Sequence, residues 1–106
     1  MEVVKALFIT RCNDSLRWYR AKVGKIVSFR GDAGFGEYRS TEPEGFTNFV
    51  QHHDAIVCNV PATALPALLA DDAPSVTVCP VCNYVVLEQS LDGVTLRCAD
   101  CHQLEA

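Results

Sequence analysis

Over the first sixty positions, apolar side chains come in short runs cut by Gly, Pro, Asn and Asp, the pattern of short strands joined by turns. Residues 3–10 are a β-branched and apolar run from Val3 to Thr10 and predict a strand. Residues 11–24 predict a long first loop: Cys12-Asn13-Asp14-Ser15 has turn chemistry, and the sole Trp follows in Leu16-Arg17-Trp18-Tyr19. Residues 25–30 alternate polar and apolar, as a half-buried strand does, and the Gly-rich residues 31–36 predict a flexible turn. A short strand over 37–39, a turn over 41–45 and a strand over 46–50 follow. His52-His53-Asp54 then makes a tight connection to a last strand over 55–58, and Val60-Pro61 ends this part. Residues 62–70 predict a short helix with Thr63 as its cap and Pro66 in its first turn, and residues 71–74 close that connector. Residues 84–89 are β-rich, Asp92-Gly93 is a turn signal and residues 94–97 return, which predicts a hairpin.

The predicted fold class is therefore mainly β, in three parts: a small barrel over residues 1–60, a helical connector over 61–74 and a hairpin module over 75–106. At 106 residues the chain holds one ordinary domain or two very small ones. No apolar run reaches the ~20 residues that a spanning helix needs, so no membrane role is expected. Met1-Glu2-Val3-Val4-Lys5 lacks the features of an export signal, so the expected compartment is the cytoplasm, with thiols reduced or metal-bound. The net charge of −4 is unevenly spread. Residues 1–60 carry eight Lys/Arg against seven Asp/Glu, or +1, while residues 61–106 carry one Arg against six acids, or −5. A polyanionic partner would have to meet the N-terminal part.

The chemistry of the C-terminal part lies in two Cys-x-x-Cys pairs, Cys79-Pro80-Val81-Cys82 and Cys98-Ala99-Asp100-Cys101, separated by fifteen residues. A two-residue gap folds the chain back on itself so that both sulfurs reach one ion, and the predicted hairpin brings the two pairs together. Over residues 76–104 the chain resembles the zinc-ribbon family, including its Cys-Pro-x-Cys first knuckle. That resemblance implies one structural zinc held by Cys79, Cys82, Cys98 and Cys101. Iron in a rubredoxin-like site has the same ligands and is the alternative; a disulfide framework or a redox pair are the others. Family knuckles place Gly after the second Cys, where the backbone turns with positive φ. Asn83 and His102 take those places here, both being tolerant of that region. Four thiolates close the zinc shell, so the expected role is structural rather than catalytic.

In its order of elements the N-terminal part resembles SH3-like barrels: a long first loop with Trp18-Tyr19 leading to Val23-Gly24-Lys25, a Tyr38 strand, residues Gly45 to Asn48, and a one-turn connection into Asp54-Ala55-Ile56 of the last strand. The resemblance implies a five-stranded, partly open barrel. The first loop and its edge are basic, with Arg11, Arg17, Arg20, Lys22, Lys25 and Arg30 opposed only by Asp14. With Trp18 and Tyr19 among them, these side chains are candidates for phosphate contact and base stacking, against the plainer reading of a solvated loop whose aromatics plug the barrel. His52 and His53 are candidates for metal or proton chemistry. Successive side chains of an extended segment point apart, however, so a structural turn is the expectation. Cys58, in an apolar run, reads as a buried small hydrophobe, and Cys12 has no sequence-defined His partner. His102 reads as part of the second knuckle's turn, and the glycines of residues 31–36 lack the Gly-Lys-Ser/Thr ending of a phosphate loop.

No catalytic constellation emerges and no small-molecule substrate is indicated. The expected function is a non-enzymatic, zinc-binding adaptor for another macromolecule, foremost a protein. Both resembled families recur in the transcription and translation machinery, and the two-module form is similar to small accessory proteins of bacteriophages. The expected contact surface is Arg17, Trp18, Tyr19 and Arg20 in the first loop, or Tyr84 and Val86 on the hairpin. The alternative is a nucleic-acid binder using Arg17, Trp18, Tyr19, Arg20, Lys22 and Lys25, and an enzyme built on Cys12, His52 or His53 is the third reading.

Overall fold

The computed structural model describes residues 2–12, 17–42, 45–70, 73, 75–91 and 94–96, the last two strands as backbone from residue 87 onward. The chain is mainly β, with three three-stranded sheets and one short helix among the described residues. In the first sheet β1 (Val3–Ile9) is central. It pairs antiparallel with β6 (Ala55–Pro61) along its whole length, from Val3↔Pro61 to Ile9↔Ala55. On its other edge it pairs with β2 (Ile26–Ser28) through Ala6↔Ser28, Leu7↔Val27 and Phe8↔Ile26.

This sheet is a wall between two cores, which explains its apolar runs. Alternate residues go to opposite faces. Leu7, Ile9, Val27 and Ala55 join Tyr19 and Val50 on one side; Ala6, Ile26, Cys58 and Val60 join Leu68, Val76 and Val85 on the other. The strand at 25–30, expected to be half-buried, is corrected accordingly: β2 is only Ile26–Ser28 and all three residues are buried. Burying side chains such as Leu7 or Ile9 fully is worth about 1.5–3 kcal/mol each.

The second sheet has the order β3-β4-β5, with β3 (Asp32–Gly34), β4 (Glu37–Thr41) and β5 (Thr47–Gln51) all antiparallel. The predicted flexible turn at 31–36 thus contains a strand, and only its end turns. Gly34 (φ 80°), Phe35 (φ 55°) and Gly36 (φ 79°) reverse the chain there, and glycines at both flanks make that left-handed run attainable. Between β2 and β3 the backbone stays paired with β4: Arg30 N donates to Arg39 O at 2.8 Å, and Arg39 N to Gly31 O at 2.8 Å. Buried hydroxyls hold this corner. Ser40 Oγ donates to Ser28 O at 2.7 Å and Thr41 N donates to Ser28 Oγ at 2.8 Å.

A 3-10 turn, His52–Asp54, leads into β6, which runs three residues beyond the expected strand end at 58. Helix α1 is Leu65–Leu69. Pro66 lies in its first turn as expected, but Thr63 is not its cap. The N-cap is Ala64, with no side-chain hydrogen bond, because a turn closed by Ala64 N→Pro61 O precedes the helix. Leu68 of α1 is buried in the core that also holds Cys58, Val60, Val76 and Val85, so the first sheet, the helix and the C-terminal part share one packing unit. The third sheet adds an unanticipated strand, β7 (Thr77–Val78), to β8 (Val85–Leu91) and β9 (Val94–Leu96) in the order β7-β8-β9.

Candidate metal centre and first-loop groove

The Cys79-Pro80-Val81-Cys82 segment follows β7 as a turn that its own backbone closes. Asn83 N donates to Cys79 O at 2.8 Å and Cys79 N to Tyr84 O at 2.9 Å, just before β8 begins. Asn83 takes φ 59°, the left-handed value that a knuckle needs after its second Cys. Cys79 is buried with Val86, and Cys82 and Tyr84 pack beside them. On the far edge of β8, β9 runs back antiparallel, with Leu96 paired to Leu87. The other two expected ligands, Cys98 and Cys101, lie outside the described residues, as does His102. Among the described residues no three His, Cys, Asp or Glu gather as a metal site. The described residues thus include two of the four expected ligands, Cys79 and Cys82, and their chemistry would suit a metal: both are soft donors on a turn closed by its own backbone, and Cys79 is buried in an apolar setting.

Of the first-loop candidates, Tyr19 is a correction. Its ring is fully buried, and its hydroxyl donates to Asp54 Oδ2 at 2.5 Å while accepting from Gln51 N at 3.4 Å. It therefore offers no stacking face. Burial, reinforced by the bond to Asp54, pushes its phenol above the ordinary range. Trp18 meets Tyr19 edge-on, with centroids 5.7 Å apart, and its Nε1 donates to Phe49 O at 2.9 Å. Arg17 Nη1 lies 3.7 Å from Glu37 Oε2. Arg20 is exposed, and Lys22 and Lys25 are partly so. Val86 is likewise corrected, being buried rather than presented, and Tyr84 is half-buried.

Buried Asp54 anchors this loop. Its carbonyl accepts from Thr10 N at 2.8 Å and Thr10 Oγ1 at 3.1 Å, and Arg11 Nε and His53 Nε2 stand 3.5 and 3.4 Å from Oδ1. Those two approaches are electrostatic only, since Oδ1 has no directed hydrogen bond among the described residues. His52 points elsewhere, its ring 4.2 Å from that of Tyr38 and its Nε2 3.2 Å from Asp32 Oδ2. The two histidines thus serve different carboxylates and do not form one site. Cys58 is fully buried, and burial foremost pushes its thiol up to about 12, the opposite of an activated nucleophile. Cys12 packs at the edge of the Tyr19 core.

A pocket of about 420 Å³ opens between the first loop and α1. Trp18 and Lys22 of the first loop line it together with Ile26 and Val27 of β2, Pro66, Leu69 and Ala70 at α1, and the charged Arg30 and Glu42. Sequence reasoning found Trp18 and Lys22 but not the helix wall, whose meeting with the loop depends on how α1 folds back on β2. No helix among the described residues is long and apolar enough to cross a membrane. The chain matches no family model, no curated protein and no solved structure.

Proposed function

We propose that this protein is a small, non-enzymatic, cytoplasmic zinc-binding adaptor that docks another protein, in the transcription or translation machinery. In this reading β2 and β3 are halves of one bent strand. With β1, β4, β5 and β6 they make a five-stranded SH3-like barrel that the 3-10 turn closes before its last strand. Residues 75–106 are a zinc ribbon in which Cys79, Cys82, Cys98 and Cys101 hold one ion. A bound zinc would supply a closed tetrahedral cross-link, with no open position for substrate. Such a short module needs it, since a hairpin of this size buries too little core by itself.

The observation that carries the docking reading is the groove between Trp18 and α1. Trp18, Pro66 and Leu69 offer apolar surface for an inserted aliphatic or aromatic side chain, and Lys22 and Arg30 favour an acidic flank on the partner. A protein is favoured over nucleic acid because Tyr19 is buried and Arg11 and Arg17 lie against Asp54 and Glu37. The test is affinity capture with nuclease, comparing the natural chain with Ala70→Glu, which puts a charge into the exposed groove wall. A protein retained after nuclease, lost with Ala70→Glu and able to shield Trp18 from a fluorescence quencher is the expected result. Recovery that collapses with nuclease would overturn this reading in favour of nucleic acid.

A further inference from the structure

Asn59, in the middle of β6, sits where the barrel wall meets the cysteine knuckle, and three hydrogen bonds converge on it. Its main-chain N–H donates to Asn83 O at 2.7 Å, and its side-chain Nδ2 donates to Cys82 O at 3.1 Å. Its Oδ1 accepts from Lys5 Nζ, on the neighbouring strand β1, at 2.7 Å. β6 and the start of β8 also touch through a parallel bridge, Asn59↔Tyr84. We infer that Asn59 is a positioning residue for the metal centre, fixing the carbonyl side of the Cys82–Asn83 turn so that the Cys79 and Cys82 sulfurs are set before a metal arrives.

The chemistry follows from the amide's two ends. The Lys5 ammonium, bonded to Oδ1, draws electron density through the amide and strengthens Nδ2–H as a donor to Cys82 O. Held at both Cys82 O and Asn83 O, the turn keeps Asn83 in its left-handed conformation and leaves less chain entropy to be lost when thiolates close on an ion. Outer-shell partners of this kind typically change metal affinity about 10–100-fold when removed. The position also joins two parts of the molecule, since Asn59 pairs with Lys5 in the register β1·β6 while touching the knuckle.

This inference rests on the zinc reading above, and the experiment separates the two. Zinc affinity of the full chain is measured by competition with a chelator of known strength, alongside the thiolate-to-metal absorption of the cobalt-loaded protein. Asn59→Asp is isosteric and keeps the Lys5 contact but sets an acceptor against Cys82 O; Asn59→Ala removes both ends. Ser40→Ala is the control, because it loosens the Ser28 corner of the barrel and leaves the knuckle untouched. Both Asn59 variants are expected to bind zinc about tenfold more weakly with an altered cobalt spectrum, while Ser40→Ala binds as the natural chain does. Equal affinity in Asn59→Asp and the natural chain, or an equal loss in Ser40→Ala, overturns the positioning role. A natural chain that takes up no zinc overturns the metal reading itself, and this inference with it.

Discussion

Tyr19 and Cys58 are neutral acids in places where their anions are costly, and they set how the protein responds to alkali. The Cys58 thiol, with an ordinary value of 9.0, is pushed up to about 12 chiefly by burial. Between those two values the unfolded chain has given up this proton and the folded chain still holds it, so stability falls as pH rises through that window. Below pH 9.0 the thiol is neutral in both states and contributes no pH dependence. One such group removes ~1.4 kcal/mol per pH unit. Tyr19, ordinarily at 10.0 and also raised, adds to the loss from there upward. Urea denaturation followed by circular dichroism should therefore show stability declining above pH 9.0. In Cys58→Ala the onset should move toward 10.0, where Tyr19 takes over. An unchanged onset would mean that Cys58 is not the group titrating. The plainer reading of the loop, with its aromatics turned inward, fits Tyr19, but its partner Asp54 lies thirty-five positions away and is not legible locally.

At the level of elements, the first loop works as a cover for a strand edge. β5 is the edge of its sheet, and an unprotected edge invites pairing with other chains. Trp18 Nε1 takes up Phe49 O, Tyr19 Oη receives Gln51 N, and the Asn48 side chain receives Phe49 N at 2.8 Å. The aromatic pair that looked available for a base is spent on this edge. The turn from Cys79 to Asn83 was easier to read, because turn chemistry is local and Asn83 after the second Cys tolerates the left-handed conformation it adopts there. Asn83→Gly should therefore melt within a degree or two of the natural chain, about the change expected for a small local effect. Asn83→Val should cost about 1–2 kcal/mol and lower the melting temperature, since a β-branched side chain resists φ 59°. Equal melting of the two variants would argue against that backbone conformation. The turn at 31–36 shows the opposite case, in which glycines suggest a loop and yet β4 recruits Asp32–Gly34 as a strand.

On the scale of the whole molecule, the mainly β character was legible because strand length and alternation are local. The strand limits that moved are those set by a second core. Ile26–Ser28 and Ala55–Pro61 belong to a sheet packed on both faces, and that arrangement exists only once α1 and the C-terminal part fold onto it. For the same reason the positive φ of Asn83 after Cys82 could be read directly, whereas the meeting of Pro66, Leu69 and Ala70 with the first loop and the hydrogen bonds from Asn59 to the Cys82–Asn83 turn could not. In the proposed function one metal ion holds the C-terminal part through the four thiolates of Cys79, Cys82, Cys98 and Cys101. Native mass spectrometry of the full chain, paired with elemental analysis, tests it most directly. The proposed site predicts one zinc per chain, lost in Cys82→Ser, and a lowered melting temperature for that variant. A natural chain that is metal-free as purified and melts identically with and without added zinc would contradict it.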